Sequence, residues 1–161
     1  MRYATHFLIR AAPADVFEAM HRYQVERNPT AYFLGSLLGR IVHMGFQVVS
    51  PNALGMGATY DWRFTLLGMP VFRLREEVVE WDEGRAVGYR AARGWNMEFR
   101  TELAPVGAGT MVDTSIEFST GLRFLDRAAK PLFETGLRLV SAAMIKRGLA
   151  SRHHRARNEQ L

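Results

Sequence analysis

The chain of 161 residues contains no cysteine, which excludes disulfides, thiolate nucleophiles and cysteine metal ligands. Lysine is scarce: Lys and Arg number 21, yet Lys130 and Lys146 are the only lysines. Long uncharged apolar runs are also missing. None approaches the roughly 18–20 residues that span a bilayer, so stable membrane insertion is not expected. The first residues, MRYATHFLIRAAP, lack the apolar core and the small-residue cleavage site of a signal peptide, and the expected location is the cytoplasm. The five histidines show neither H-x-x-x-H nor H-E-x-x-H spacing, so no metal site is expected. Short glycine motifs carry no phosphate chemistry. GMG (55–57) and GAG (107–109) complete no phosphate-loop pattern, and GSLLG (35–39) is not the G-x-S-x-G of a nucleophile elbow.

What is present is an ordinary globular balance, with 48% apolar and 23% charged residues. One domain over residues 1–161 is expected, large enough to bury roughly two thirds of its unfolded surface without staples. The net charge is +5, and the tail SRHHRARNEQL (151–161), where Arg152, Arg155 and Arg157 crowd together against Glu159, carries +2 of it. That tail has no apolar stripe and reads as a frayed, solvated helix end, so no nucleic-acid partner is expected.

Hydrophobic periodicity orders the elements. RYATHFLIR (2–10) alternates Tyr3, Thr5, Phe7 and Ile9 against Arg2, Ala4, His6 and Leu8, the period of a strand. APADVFEAM follows with proline in its first turn and Val16, Phe17 and Met20 on one face, the pattern of a helix. A second short helix is predicted over 29–41. From His43 to Ser119 the period is two, in six runs separated by turn chemistry: SPNALG, LGMP, DEG, RG and PVGAG. Connections this short predict antiparallel pairing of successive strands. The last forty residues repeat apolar positions at three- and four-residue steps, with Pro131 early and Gly136 where a helix could approach a sheet closely. The predicted class is therefore α+β: a curved seven-stranded antiparallel sheet around a long C-terminal helix, in the order β-α-α-β6-α.

Several stretches carry a resemblance. IRAAPADVFEAM, GMGATYDWRF, VVEWDEGRAVGYRA, FRTELAPVGAGTMVD and a closing proline-containing helix stand in the order found in the START/Bet v 1-like (SRPBCC) superfamily. The chain is most similar to the branch labelled polyketide cyclase/dehydrase, which spans aromatic cyclases and lipid carriers. The resemblance implies a helix-grip fold and leaves the reaction open.

Alternation then sorts the inner face. It assigns Met44, Phe46, Tyr60, Trp62, Phe64, Leu74, Glu76, Tyr89, Phe99 and Thr114 to the cavity side, with Val140 and Met144 opposite them on the helix. Glu76 is the odd member, because a carboxylate among apolar neighbours is costly unless paired or protonated. Two readings of it stay open: a group facing the cavity, or a residue turned outward by a one-residue bulge. Tyr60 and Tyr89 are likewise either proton donors or phenols reaching water at a cavity mouth. Trp62 and Trp95 read as walls or covers.

Three functions fit. An enzyme of the cyclase or dehydratase type, needing no cofactor, would fold a flexible polyketide-like chain and move protons with the catalytic set Tyr60, Glu76 and Tyr89. A non-catalytic carrier or sensor of a lipid, isoprenoid or quinone would use the same aromatic- and methionine-rich lining. A protein-binding module would need a large exposed apolar patch. The expected partner is a hydrophobic small molecule, and the expected assembly a monomer or homodimer.

Overall fold

The alternation that begins at Arg2 produces the first strand. In the computed structural model, which describes residues 2–25, 42–93, 96–118, 134–135 and 137–151, β1 runs Arg2–Ile9 with Tyr3, Phe7 and Ile9 buried. Pro13 starts α1 (Pro13–His21), which buries Val16, Phe17, Ala19 and Met20, and a 3₁₀ turn (Arg22–Val25) continues it. Six strands follow: β2 (Val42–Val48), β3 (Thr59–Leu66), β4 (Met69–Asp82), β5 (Ala86–Arg93), β6 (Met97–Val106) and β7 (Gly109–Phe118). Residues 137–151 form the C-terminal helix, here α2. The predicted helix over 29–41, Trp95, Pro131, Leu132, Gly136 and the tail beyond 151 lie outside the described residues.

All seven strands form one curved antiparallel sheet, in the order β1-β7-β6-β5-β4-β3-β2. Sequence neighbours pair from β2 to β7, as short turns require, and β1 closes against the last strand. That closure is tight. A Cβ on Gly109 would stand 2.6 Å from the Ile9 carbonyl oxygen, so only glycine fits where β7 begins beside β1.

Helix α1 packs on β6 and β7. Helix α2 turns Ser141, Met144, Ile145 and Gly148 inward, at spacings of three and four. The expected seam through Val140 is thus displaced by one position. Val140 is 37% exposed and stands at the margin, because the buried stripe is centred on Ile145.

Bulges decide the inner face of β4. Val79 has no partner between the Val78–Tyr89 and Glu80–Gly88 pairs. This bulge falls three residues beyond Glu76, a second at Val71 falls five residues before it, and the irregularity at Arg75/Glu76 places its extra residue, Ala92, on β5. Glu76 keeps its inward parity and is buried, while Glu77 is exposed. Beyond the bulge the parity flips, and Trp81 turns toward α1, its ring 5.0 Å from Phe17.

Candidate functional site

The inner faces of β3 to β6 and the start of α2 do not meet. Between them lies an apolar cavity of about 220 Å³. Its sheet wall is Trp62 and Phe64 of β3, Leu74 and Glu76 of β4, Tyr89 of β5, and Met97 and Phe99 of β6. Met20 closes one end, and Leu137, Val140, Ser141 and Met144 form the helical wall. This volume falls below the roughly 300–1,000 Å³ expected of such a pocket. Three polar groups interrupt the lining: the Glu76 carboxyl, the Tyr89 phenol and the Ser141 hydroxyl.

Glu76 is 8% exposed, and its carboxylate accepts a hydrogen bond from Trp62 Nε1 at 2.6 Å. The register explains the reach. Glu76 stands directly across from Tyr60, and Trp62, two residues on, is its diagonal neighbour. Burial pushes the Glu76 carboxyl up to about 7, and the indole donor opposes that shift only in part. Near neutrality the group exists both with and without its proton, the condition for moving one in either direction.

Tyr89 meets a residue that spacing alone did not single out. His21, at the end of α1, is 5% exposed, with its ring 4.6 Å from Phe17 and 4.7 Å from Trp81. Its Nδ1 lies 2.7 Å from the Phe17 carbonyl oxygen, and its Nε2 lies 3.0 Å from the Tyr89 hydroxyl. A carbonyl only accepts, so Nδ1 carries the proton. Burial lowers the imidazole to about 4, despite the supporting Phe17 carbonyl, so the ring is neutral and Nε2 accepts. The Tyr89 hydroxyl therefore donates to His21. The usable signal for His21 was its place one step after Met20 on the buried face of α1.

The remaining assigned residues divide. Trp62, Phe64, Leu74, Phe99, Val140 and Met144 line the cavity with Glu76 and Tyr89. Tyr60 does not. It is fully buried, its hydroxyl donates to the Ala53 carbonyl at 2.7 Å, and burial together with the Glu76 charge pushes the phenol up to about 12. Phe46 stands behind the wall, its ring 4.6 Å from Trp62. Thr114 is bonded to Thr101, Oγ1 to Oγ1 at 3.2 Å, away from the cavity. The Met44 side chain lies outside the described residues. Met20, Met97, Leu137 and Ser141 join the lining unassigned, because alternation cannot tell which end of a strand or helix borders a void. Among the described residues, no three His, Asp or Glu side chains cluster as metal ligands would.

A curved antiparallel sheet, a C-terminal helix laid across it and an apolar cavity between them define a helix-grip protein of the Bet v 1-like (SRPBCC) class, a fold that binds hydrophobic ligands. Over residues 2–152 the chain matches the family described as polyketide cyclase / dehydrase and lipid transport, and it belongs to that family. Solved structures share the fold at low identity. A protein from Thermus thermophilus superposes with a TM-score of 0.70 at 19% identity, over 94% of this chain and 99% of that one. Norcoclaurine synthase from Thalictrum flavum, solved with dopamine and hydroxybenzaldehyde, gives 0.67 at 15% identity, over 93% and 87%. Ginseng major latex-like protein 151 from Panax ginseng gives 0.62 at 15% identity, over 92% and 97%. No curated protein matches the chain.

Proposed function

We propose that the protein is a cofactor-independent cyclase or dehydratase acting on a hydrophobic, partly oxygenated molecule of the polyketide type, held between the sheet and α2. The observation that carries the reading is the Glu76 carboxyl, buried in an apolar wall and pushed up to about 7. In the proposed step, Glu76 takes a proton from a carbon flanked by two carbonyls. The resulting enolate carbon attacks a carbonyl further along the same chain and forms one C–C bond. Protonated Glu76 returns that proton to the new alkoxide, giving a hydroxyl. It then takes the second proton from the same carbon and passes it to the departing hydroxyl, so one water leaves as the C=C bond forms in each ring closed. Tyr89, its own proton held by His21, presents its oxygen to the cavity and orients a substrate hydroxyl or enol. Tyr60 takes no part in this version, because its hydroxyl is spent on Ala53.

The carrier reading is favoured by a different feature. Nine of the twelve residues around the cavity are apolar, enough to hold a lipid-like ligand without chemistry.

Turnover of a linear poly-β-carbonyl chain, followed by mass as loss of water, separates the two. Binding is read from Trp62 fluorescence. For an enzyme, Glu76→Gln lowers kcat at least a hundredfold, with affinity held within a few-fold, and Tyr89→Phe lowers it less. Wild-type protein that binds such chains without ever releasing water would be a carrier.

A further inference from the structure

The β3–β4 hairpin ends in a feature that the cavity does not explain. Leu66 pairs with Met69, leaving Leu67 and Gly68 as a two-residue turn, both at positive φ (51° and 81°). Such a turn favours Asn-Gly, since a branched aliphatic residue gains nothing from a left-handed backbone. Yet leucine occupies it and is 71% exposed, beside Met69 at 64%, Val71 at 63% and Leu66 at 41%. Four large apolar side chains within six residues thus face solvent at one tip.

Just behind the tip, the outer face of the sheet is basic. Arg63 and Arg73 stand directly opposite each other, and so do Arg75 and Arg93. Like charges in such pairs repel. Asp61 is the single carboxylate in this group, and it is held by Arg75 through two hydrogen bonds of 2.6 and 2.7 Å. Arg63, Arg73 and Arg93 are exposed and form no salt bridge among the described residues. Four arginines around one carboxylate, beside exposed leucines, are complementary to a surface that is anionic on the outside and apolar beneath.

We propose that this hairpin docks the protein on anionic lipid bilayers, Leu66, Leu67, Met69 and Val71 entering the acyl boundary and Arg63, Arg73 and Arg93 meeting the headgroups. The dimensions agree. Arg63 is three residues from Leu66, about 10 Å along a strand, and amphipathic elements sink about 5–10 Å into the interface. The same strand joins the docking tip to the cavity, because Phe64 lines the cavity two residues before Leu66. No helix among the described residues is long and apolar enough to cross a membrane, so the attachment is peripheral. Docking does not depend on whether the cavity is catalytic.

The test is co-sedimentation of the full chain with phosphatidylcholine vesicles, with and without phosphatidylglycerol. Binding is expected only to the anionic vesicles, weakening with salt. Each of Arg63→Gln and Arg73→Gln should reduce partitioning about fivefold. Leu67→Asp and Met69→Asp should abolish it while leaving the far-ultraviolet circular dichroism and the urea midpoint unchanged, since both side chains are exposed. Several results would overturn the proposal. Equal binding to neutral vesicles, or no binding to either kind, would do so. Binding sensitive to the arginines but not to Leu67 or Met69 would indicate a plain anion site for phosphate or nucleic acid. Self-association in sedimentation velocity that Leu67→Asp removes, without vesicle binding, would assign the tip to a second copy of the chain.

Discussion

Thr114 on β7 and Glu76 on β4 both stand on the inner face of one sheet, both polar, exposed by 2% and 8%. Thr114 shares its hydroxyl with Thr101 in a solid region, beneath the strands on which α1 packs. Glu76 faces a void, under the start of α2. On the β6–β7 side the sheet is covered by a helix that buries Val16 and Phe17 almost completely, and Tyr3 and Val112 are fully excluded from water. Over β3 to β5 and the first residues of β6 the covering helix contributes Val140, Ser141 and Met144 at a distance that leaves about 220 Å³ empty. One half of the sheet is therefore built for stability. The other gives up contacts and leaves room for a ligand, with its polar groups held ready by Trp62 and His21.

The sharpest way to break this contrast is to truncate one aromatic on each side. Phe17→Ala, in the filled half, should cost about 3–5 kcal/mol in urea unfolding. Phe64→Ala, on the cavity wall and only half-buried, should cost less than half as much, because it enlarges a space that already exists. Equal losses would mean that the cavity wall is packed like the core.

Next in size is a pH effect confined to the hollow half. The folded state lifts the Glu76 carboxyl from 4.5 to about 7, so it holds that proton more tightly than the unfolded chain does. The stability gained this way is complete below about pH 4.5 and is lost as pH rises through about 7. Glu76→Gln should thus leave stability unchanged near pH 4 and raise it near pH 8 by roughly 2–4 kcal/mol, measured by urea unfolding at both values. His21 works in the opposite sense. Its folded value of about 4 lies below 6.5, so its contribution is present above pH 6.5 and is lost as pH falls toward 4. In His21→Gln that acid-side loss should disappear from the unfolding profile.

The smallest effect separates parity from location. Thr114→Val removes one hydrogen bond in the filled half and should cost about 1 kcal/mol. It should leave the affinity of any cavity ligand unchanged, as read by titration. A changed affinity would extend the site across to β7.

Periodicity by itself determined a good deal of this protein. The order of the described elements, the antiparallel pairing and the inward face of each strand follow from residues such as Tyr3, Trp62, Leu74 and Tyr89, because a side chain's face on a strand depends only on its own alternation. The inward position of Glu76 was legible as one of two readings, and the β4 bulges at Val71 and Val79, which leave the alternation from Leu74 to Val78 unbroken, decided between them. What alternation could not contain was distance between elements. Tyr60 and Thr114 share the parity of Tyr89, yet their hydroxyls end on Ala53 and Thr101, 7 and 13 residues away, because the loop before β3 and the facing strand β6 reach them first. His21 lies 68 residues from Tyr89, and its neutral state depends on burial between Phe17 and Trp81. Which half of the sheet is filled, which proton is shared and where the arginines gather behind the hairpin were decided only when the strands and helices packed, since burial and charge proximity are properties of the assembled fold.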